Sequence, residues 1–158
     1  MSEQTLLSSL KKQVSNFYSF GQPEGDGVGV QFRIYTQVTI SRVAIKMCKT
    51  GTPTGSMIAR LCTNNGGFQS SLAKAGTQIA QSTNTLDVST LSSSMEDVDF
   101  TFNNVILAPG IYFFVVYSSS IDTAMGHIQI FMTGDGGSQF GYPTIWQSAG
   151  WLSWSEWD

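Results

Sequence analysis

Charge is scarce in this sequence. Only 12% of its 158 residues are Asp, Glu, Lys or Arg, about half the usual share for a globular domain. The eight Lys and Arg residues are scattered, and only Lys11 and Lys12 are adjacent. Displacing counterions from phosphates needs clustered cations, so the pattern argues against a nucleic-acid binder. Apolar runs are short. None approaches the roughly 20 residues a membrane helix requires. The opening MSEQTLLSSLKK lacks the basic start and apolar stretch of a secretory signal. With one histidine, His127, and two cysteines, Cys48 and Cys62, no Cys/His set has zinc-ligand spacing. No G-x-S-x-G elbow is present. The expectation is a non-enzymatic chain with no catalytic residues, no metal and no cofactor.

Apolar residues make up 41% of the chain, enough for one core in one domain of this length. Gly, Ser, Thr, Asn and Gln take the place of charge. Such a polar, weakly charged surface suits extracellular, virion and lectin-like β-proteins.

Residues 1–16 differ from the rest. Leu6, Leu7, Leu10 and Val14 recur at three- and four-residue steps, with Lys11, Lys12 and Gln13 off that stripe. The segment reads as a short amphipathic helix or arm, too short to hold a helix alone in water. Leu6, Leu7, Leu10 and Val14 are therefore assigned to assembly. Their stripe docks on a partner subunit, or on the domain's own sandwich. Residues 17–158 form the domain proper.

After a Gly- and Pro-bearing turn region over 17–29, the period becomes two. Val28, Val30, Phe32 and Ile34 alternate with Gly29, Gln31, Arg33 and Tyr35. The next strand covers 38–49, with a bend near Ser41. Val43, Ile45 and Met47 share one face; Ala44, Lys46 and Cys48 share the other. TGTPTGS turns the chain into 57–63, and the two strands read as a hairpin. Further strands are expected at 77–83, 96–105, 111–119 and 126–134, with a last one in 146–157. The run 111–119 is apolar on both faces and belongs in the middle of a sheet. About nine strands and no helical period after residue 16 predict an all-β, two-sheet antiparallel sandwich. Its expected core is Phe32, Ile34, Val43, Ile45, Leu61, Phe100, Phe102, Tyr112 or Phe113, and Val115.

The punctuation has a familiar order. It runs through QF (31–32), ISRV (40–43), GTPTG (51–55), IAQS (79–82), VDFTF (98–102) and LAPGIYFFVV (107–116). A Gly/Trp-rich tail closes it. Over residues 28–158 this resembles jelly-roll modules of the choice-of-anchor type, found in bacterial surface proteins and in phage virion or tail proteins. The resemblance implies a jelly roll and a non-catalytic accessory, adhesion or carbohydrate-binding role. An opening Met followed by a short arm suggests a small stand-alone protein carried on a particle.

Other chemistry is sparse. His127 lies in a strand pattern and reads as a hydrogen-bonded or exposed strand residue. Glu96, Asp97 and Asp99 read as a solvated strand face. Glu24, Asp26 and Asp135 sit in Gly-rich loops, where Asp-Gly supports turns; oxygen ligands there also suit Ca²⁺. In the expected hairpin, Cys48 and Cys62 share a face but stand about 13 Å out of register. That exceeds the roughly 7 Å a disulfide spans, so both are expected as free thiols.

All four tryptophans, Trp146, Trp151, Trp154 and Trp157, fall in the tail. Trp146, Trp151 and Trp157 are the candidates for stacking on a glycan, against the plainer reading that these rings fill the core or pack subunits. Two functions follow. One is a structural or display protein of a viral (phage) particle, such as a capsid decoration or tail component. It would be assembled in the host cytoplasm, with other virion proteins as partners and a homo-oligomer, a trimer among the options, as its state. The alternative is a carbohydrate-binding or adhesion module whose partner is a surface glycan.

Overall fold

The computed structural model describes residues 16–20, 27–67, 74–118, 121, 126–132, 140–147 and 150–153. Eleven strands follow in chain order: β1 (Asn16–Phe20), β2 (Gly27–Ile34), β3 (Val38–Gly51), β4 (Ser56–Asn65), β5 (Lys74–Gln81), β6 (Leu86–Asp87), β7 (Glu96–Leu107), β8 (Gly110–Tyr117), β9 (Gly126–Met132), β10 (Phe140–Gln147) and β11 (Gly150–Ser153). One 3-10 turn, Val88–Thr90, follows β6. The described residues contain no α-helix.

The strands make two antiparallel sheets. One has the order β1-β9-β3-β7; the other runs β11-β10-β2-β8-β4-β5, with β6 paired to β4. The pairings nest: β1 with β9, β2 with β8, β3 with β7, and β4 with β5. A long antiparallel ribbon whose tip lies between β4 and β5 has thus been rolled so that successive pairs alternate between sheets. This is the jelly-roll topology, with the β10–β11 hairpin added to the free edge of β2.

The rolled ribbon corrects the expected hairpin. β3 and β4 do not pair; they belong to opposite sheets, and GTPTG carries the chain across the sandwich. Hairpin and arch impose the same alternation, because either way one face of each strand meets the core. Periodicity could not separate them. Met47 and Met57, on either side of the arch, are both fully buried in one core cluster. The arch is tight. Gly51 and Gly55 have φ of 72° and 113°, values open to glycine at little cost, and Pro53 is buried.

The 17–29 region is also more than a turn. Asn16–Phe20 forms an edge strand paired with β9. Its run is too short to show a period, and its aromatics favour a sheet. The arm residues Leu6, Leu7, Leu10 and Val14 lie outside the described residues. The expected last strand is instead a hairpin of β10 and β11.

Between the sheets lies the main core, including Phe32, Ile34, Ile45, Leu61, Phe100, Phe102, Phe114, Ile128 and Ile130, with Val43 and Tyr112 partly buried against it. Phe100 of β7 meets Phe114 of β8 edge-on, ring centroids 6.2 Å apart. The doubly apolar strand β8 is central, as its sequence implied. Its parity is now fixed: Tyr112, Phe114 and Val116 face this core. Val115, expected in it, lies instead in a second cluster with Phe113 and Cys62.

The ladder bends where side chains require it. The β3–β7 register shifts between Ile40 and Arg42, beside Ser41. Opposite, Asn104 takes φ 48°, a left-handed conformation that Asn tolerates. The outer edge of β7 is capped. Thr83 N donates to Thr101 O at 2.7 Å, while Asn84 donates to Asp99 O and accepts from Thr101 N, both at 2.8 Å. An amide side chain here satisfies backbone groups that would otherwise template another strand.

The larger sheet does not lie flat. Its end strands β11 and β5 come into contact with each other. Six strands side by side would hold them about 24 Å apart. The sheet therefore curls on itself. It closes over the face turned away from the main core, since the opposite face is occupied by β3, β7 and β9.

Gly126 pairs with Gly51, against the arch. A Cβ built on it would stand 2.2 Å from Thr50 O and 2.8 Å from Thr52 N. Both atoms are backbone, so neither can swing away. Gly126→Ala should lower the unfolding free energy by about 1–3 kcal/mol in urea titration. An unchanged midpoint would show that the arch does not press on β9.

Candidate ligand-binding face

The two outer faces of the sandwich differ in chemistry. On the smaller sheet, β3 and β7 present cross-strand ion pairs: Arg42 with Asp99 at 3.0 Å and Lys46 with Asp97 at 3.1 Å, with all four side chains about half exposed. Exposed pairs of this kind contribute about 0.2–1 kcal/mol. Asp97 and Asp99 are thus each paired to a base on β3. Glu96 accepts from Ser92 N at 2.8 Å. These carboxylates form the solvated face the sequence implied.

The same face holds a polar row. Cys48 Sγ donates to Gln129 Oε1 at 3.4 Å, and Gln129 Nε2 lies 3.4 Å from His127 Nε2. An amide separates thiol from imidazole, so the pair is not arranged as nucleophile and base. No group of three or more potential metal ligands occurs among the described residues. Glu24, Asp26 and Asp135 lie outside them.

The curled sheet presents a different surface. Its outward positions in β2, β8 and β4 are Gln31, Phe113 and Cys62 in one register row, and Gly29, Val115 and Arg60 in the next. A strand face turned away from the core normally meets water. Here Gln31 and Phe113 are 0% exposed, Val115 4% and Cys62 5%. Ala75 of β5 packs against this second cluster. Burial raises the Cys62 thiol above its ordinary value, and the Arg60 charge opposes that shift. The thiol is therefore protonated and poorly nucleophilic at neutral pH.

Both cysteines are free, as expected, but not because of a register offset. They lie in different sheets and on opposite outer faces, with the core between them. The expectation that they share a face fails together with the hairpin.

A fully buried glutamine requires partners. Gln31 Nε2 donates to Asn64 Oδ1 at 2.6 Å and to Gly67 O at 3.0 Å, and Asn64 Nδ2 donates to Gly66 O. The amide thus ties the far end of β4 and its following turn to β2. Gly66 sits there with φ 98°. At the other end of the face, the Arg60 guanidinium lies over the Tyr117 ring, 4.5 Å from its centroid, a cation–π contact worth about 0.5–2 kcal/mol. Arg60 Nε is buried and has no hydrogen-bond partner.

Two glycines of β2 stand opposite β8 on this face. Gly27 pairs with Tyr117 on one side and Trp146 on the other. At Gly29, a Cβ would come within 3.3 Å of Val115 Cγ2 and 3.4 Å of a Phe113 ring carbon, so the β8 side chains close over that position.

Of the three candidate tryptophans, the hairpin brings two together. Trp146 and Trp151 are direct cross-strand partners. The register row then continues through Gly27 and Tyr117 to Ile58. Trp157 lies outside the described residues. Gln31, Arg60, Asn64 and Tyr117 were missed as site residues. The alternation did put Gln31 on an outward position. The signal that this outward face is also enclosed was the double apolarity of β8.

Comparison with protein-family models, with curated proteins and with solved structures finds no match.

Replacing Gln31 by Ala would strip two acceptors of their donor and open a void. Gln31→Ala should cost about 1–3 kcal/mol in chemical denaturation, whereas exposed Gln37→Ala should change stability by less than about 0.5 kcal/mol. Equal effects would mean that the Gln31 amide anchors nothing.

Proposed function

We propose that this protein is a non-catalytic structural and display component of a viral particle, such as a capsid decoration or tail protein. It would be assembled in the host cytoplasm and work as a homo-oligomer beside other virion proteins. The observation that carries this reading is the jelly-roll topology of the two antiparallel sheets. Jelly rolls are common in capsid and lectin domains, although a fold alone does not assign a role. The apolar stripe of Leu6, Leu7, Leu10 and Val14 supplies a means of attachment.

The test is assembly. Because Asn16 opens β1, the informative truncation removes residues 1–15. Light scattering should then report a folded protein of lower oligomeric order than the full chain. A truncated protein that melts earlier but keeps its oligomeric state would place the stripe on its own sandwich and count against the display reading.

A second reading, carbohydrate binding, is favoured by one observation: the cross-strand pairing of Trp146 with Trp151 at the border of the curled sheet. Aromatic rings stack on sugar C–H faces. On this reading Trp151→Ala weakens glycan binding by about 1–3 kcal/mol while the far-ultraviolet circular dichroism stays the same. Loss of the fold in that variant would identify the ring as core.

A further inference from the structure

Asn65 is the only asparagine in the sequence followed by glycine. It is the last residue of β4, paired with Lys74, and it is exposed. Gly66 is exposed as well, and its φ of 98° is a conformation open to glycine. With no Cβ beside it, the Gly66 nitrogen is unshielded. In such a step the backbone amide can reach the side-chain carbonyl carbon of the preceding residue, which is one reason asparagine is thermolabile. Asn64 is placed differently. Its Oδ1 accepts from Gln31 Nε2, its Nδ2 donates to Gly66 O, and the residue after it carries a Cβ.

We propose that Asn65 is a site of spontaneous covalent modification, in which Gly66 N attacks Asn65 Cγ. The N–Cγ bond forms, the Cγ–Nδ2 bond breaks, and the Gly66 amide proton leaves with Nδ2 as ammonia. Water then opens the cyclic imide. Opening at Cγ yields Asp; opening at the Asn65 main-chain carbonyl yields isoaspartate, whose backbone runs through the former side chain. The enclosed face is coupled to this step. Closing the ring turns Asn65 out of its extended conformation and carries Gly66 and Gly67 with it. Their carbonyls are the acceptors for Asn64 and for the fully buried Gln31. The Gln31 amide therefore restrains the reaction, which proceeds through local opening of the end of β4. Isoaspartate adds a methylene between Asn65 and Gly66 and draws both carbonyls off their donors, so the modified protein is less stable.

Peptide mass mapping of folded protein held in warm, mildly alkaline buffer tests this, with urea-unfolded chain as the reference. Wild type is compared with Gln31→Ala and with Gln31→Met, which keeps the side-chain length without a donor; thermal melting shows which variants are folded. Asn65→Gln, whose longer side chain closes the ring far more slowly, is the unreactive control. The expected result is an Asn-to-Asp mass shift at Asn65 ahead of every other asparagine, several-fold faster in the folded Gln31 variants. The urea midpoint falls with age in wild type and holds in Asn65→Gln. An Asn65 that stays intact in folded protein while the unfolded chain converts would overturn the site. Equal rates in wild type and the Gln31 variants would overturn the restraint. An unchanged midpoint in fully converted protein would overturn the coupling to the enclosed face.

Discussion

Burial of β8 on both faces is the constraint on which the rest of this structure depends. Phe114 and Val116 point into the space between the sheets, while Phe113 and Val115 point away from it. Removing such side chains from water is worth about 1.5–3 kcal/mol each, so neither face can be left wet. The smaller sheet covers one. The other is covered because the larger sheet curls until its end strands meet. The jelly roll thus carries two apolar clusters on the two sides of one sheet, and the β10–β11 hairpin, an addition to the basic roll, supplies the strands needed to close the second.

Closure forces polar groups to be settled locally. Gln31 lies in the enclosed face at no exposure and is held by Asn64 and Gly67. Burying an amide unpaired costs about 2–7 kcal/mol, so this network is a condition of the fold. Arg60 is the exception: it is stacked on Tyr117 but left with an unbonded Nε. The opposite outer face, with its exposed ion pairs, shows the ordinary solution for a sheet surface in water.

Much of this was legible in the residues, and the failures share a cause. Alternation by two assigned Phe32, Ile34, Ile45, Leu61, Phe100 and Phe102 to the core, because a half-buried strand writes its face into its spelling. The double apolarity of 111–116 put β8 in the centre of a sheet. Partner choice was not legible. Met47 and Met57 face the core whether β3 and β4 pair side by side or arch between sheets, so the rolled ribbon was mistaken for a hairpin. The parity of β8 was hidden by the very apolarity that located it. Gln31 could be placed on an outward face, but only the curl of the sheet shows that this face is enclosed. Trp146 and Trp151 were picked for their chemistry, and their direct pairing came from the turn between them, whose register no period records.

The enclosed second face is the central claim, and Phe113 reports on it most directly. It belongs to that cluster alone, so its truncation leaves the main core intact. The decisive measurement is the unfolding free energy of Phe113→Ala from urea titration. An enclosed ring predicts a loss of about 3–5 kcal/mol. A loss below about 0.5 kcal/mol, the range of ordinary surface substitutions, would mean that the outer face of β8 is open to water and that the sheet does not curl over it.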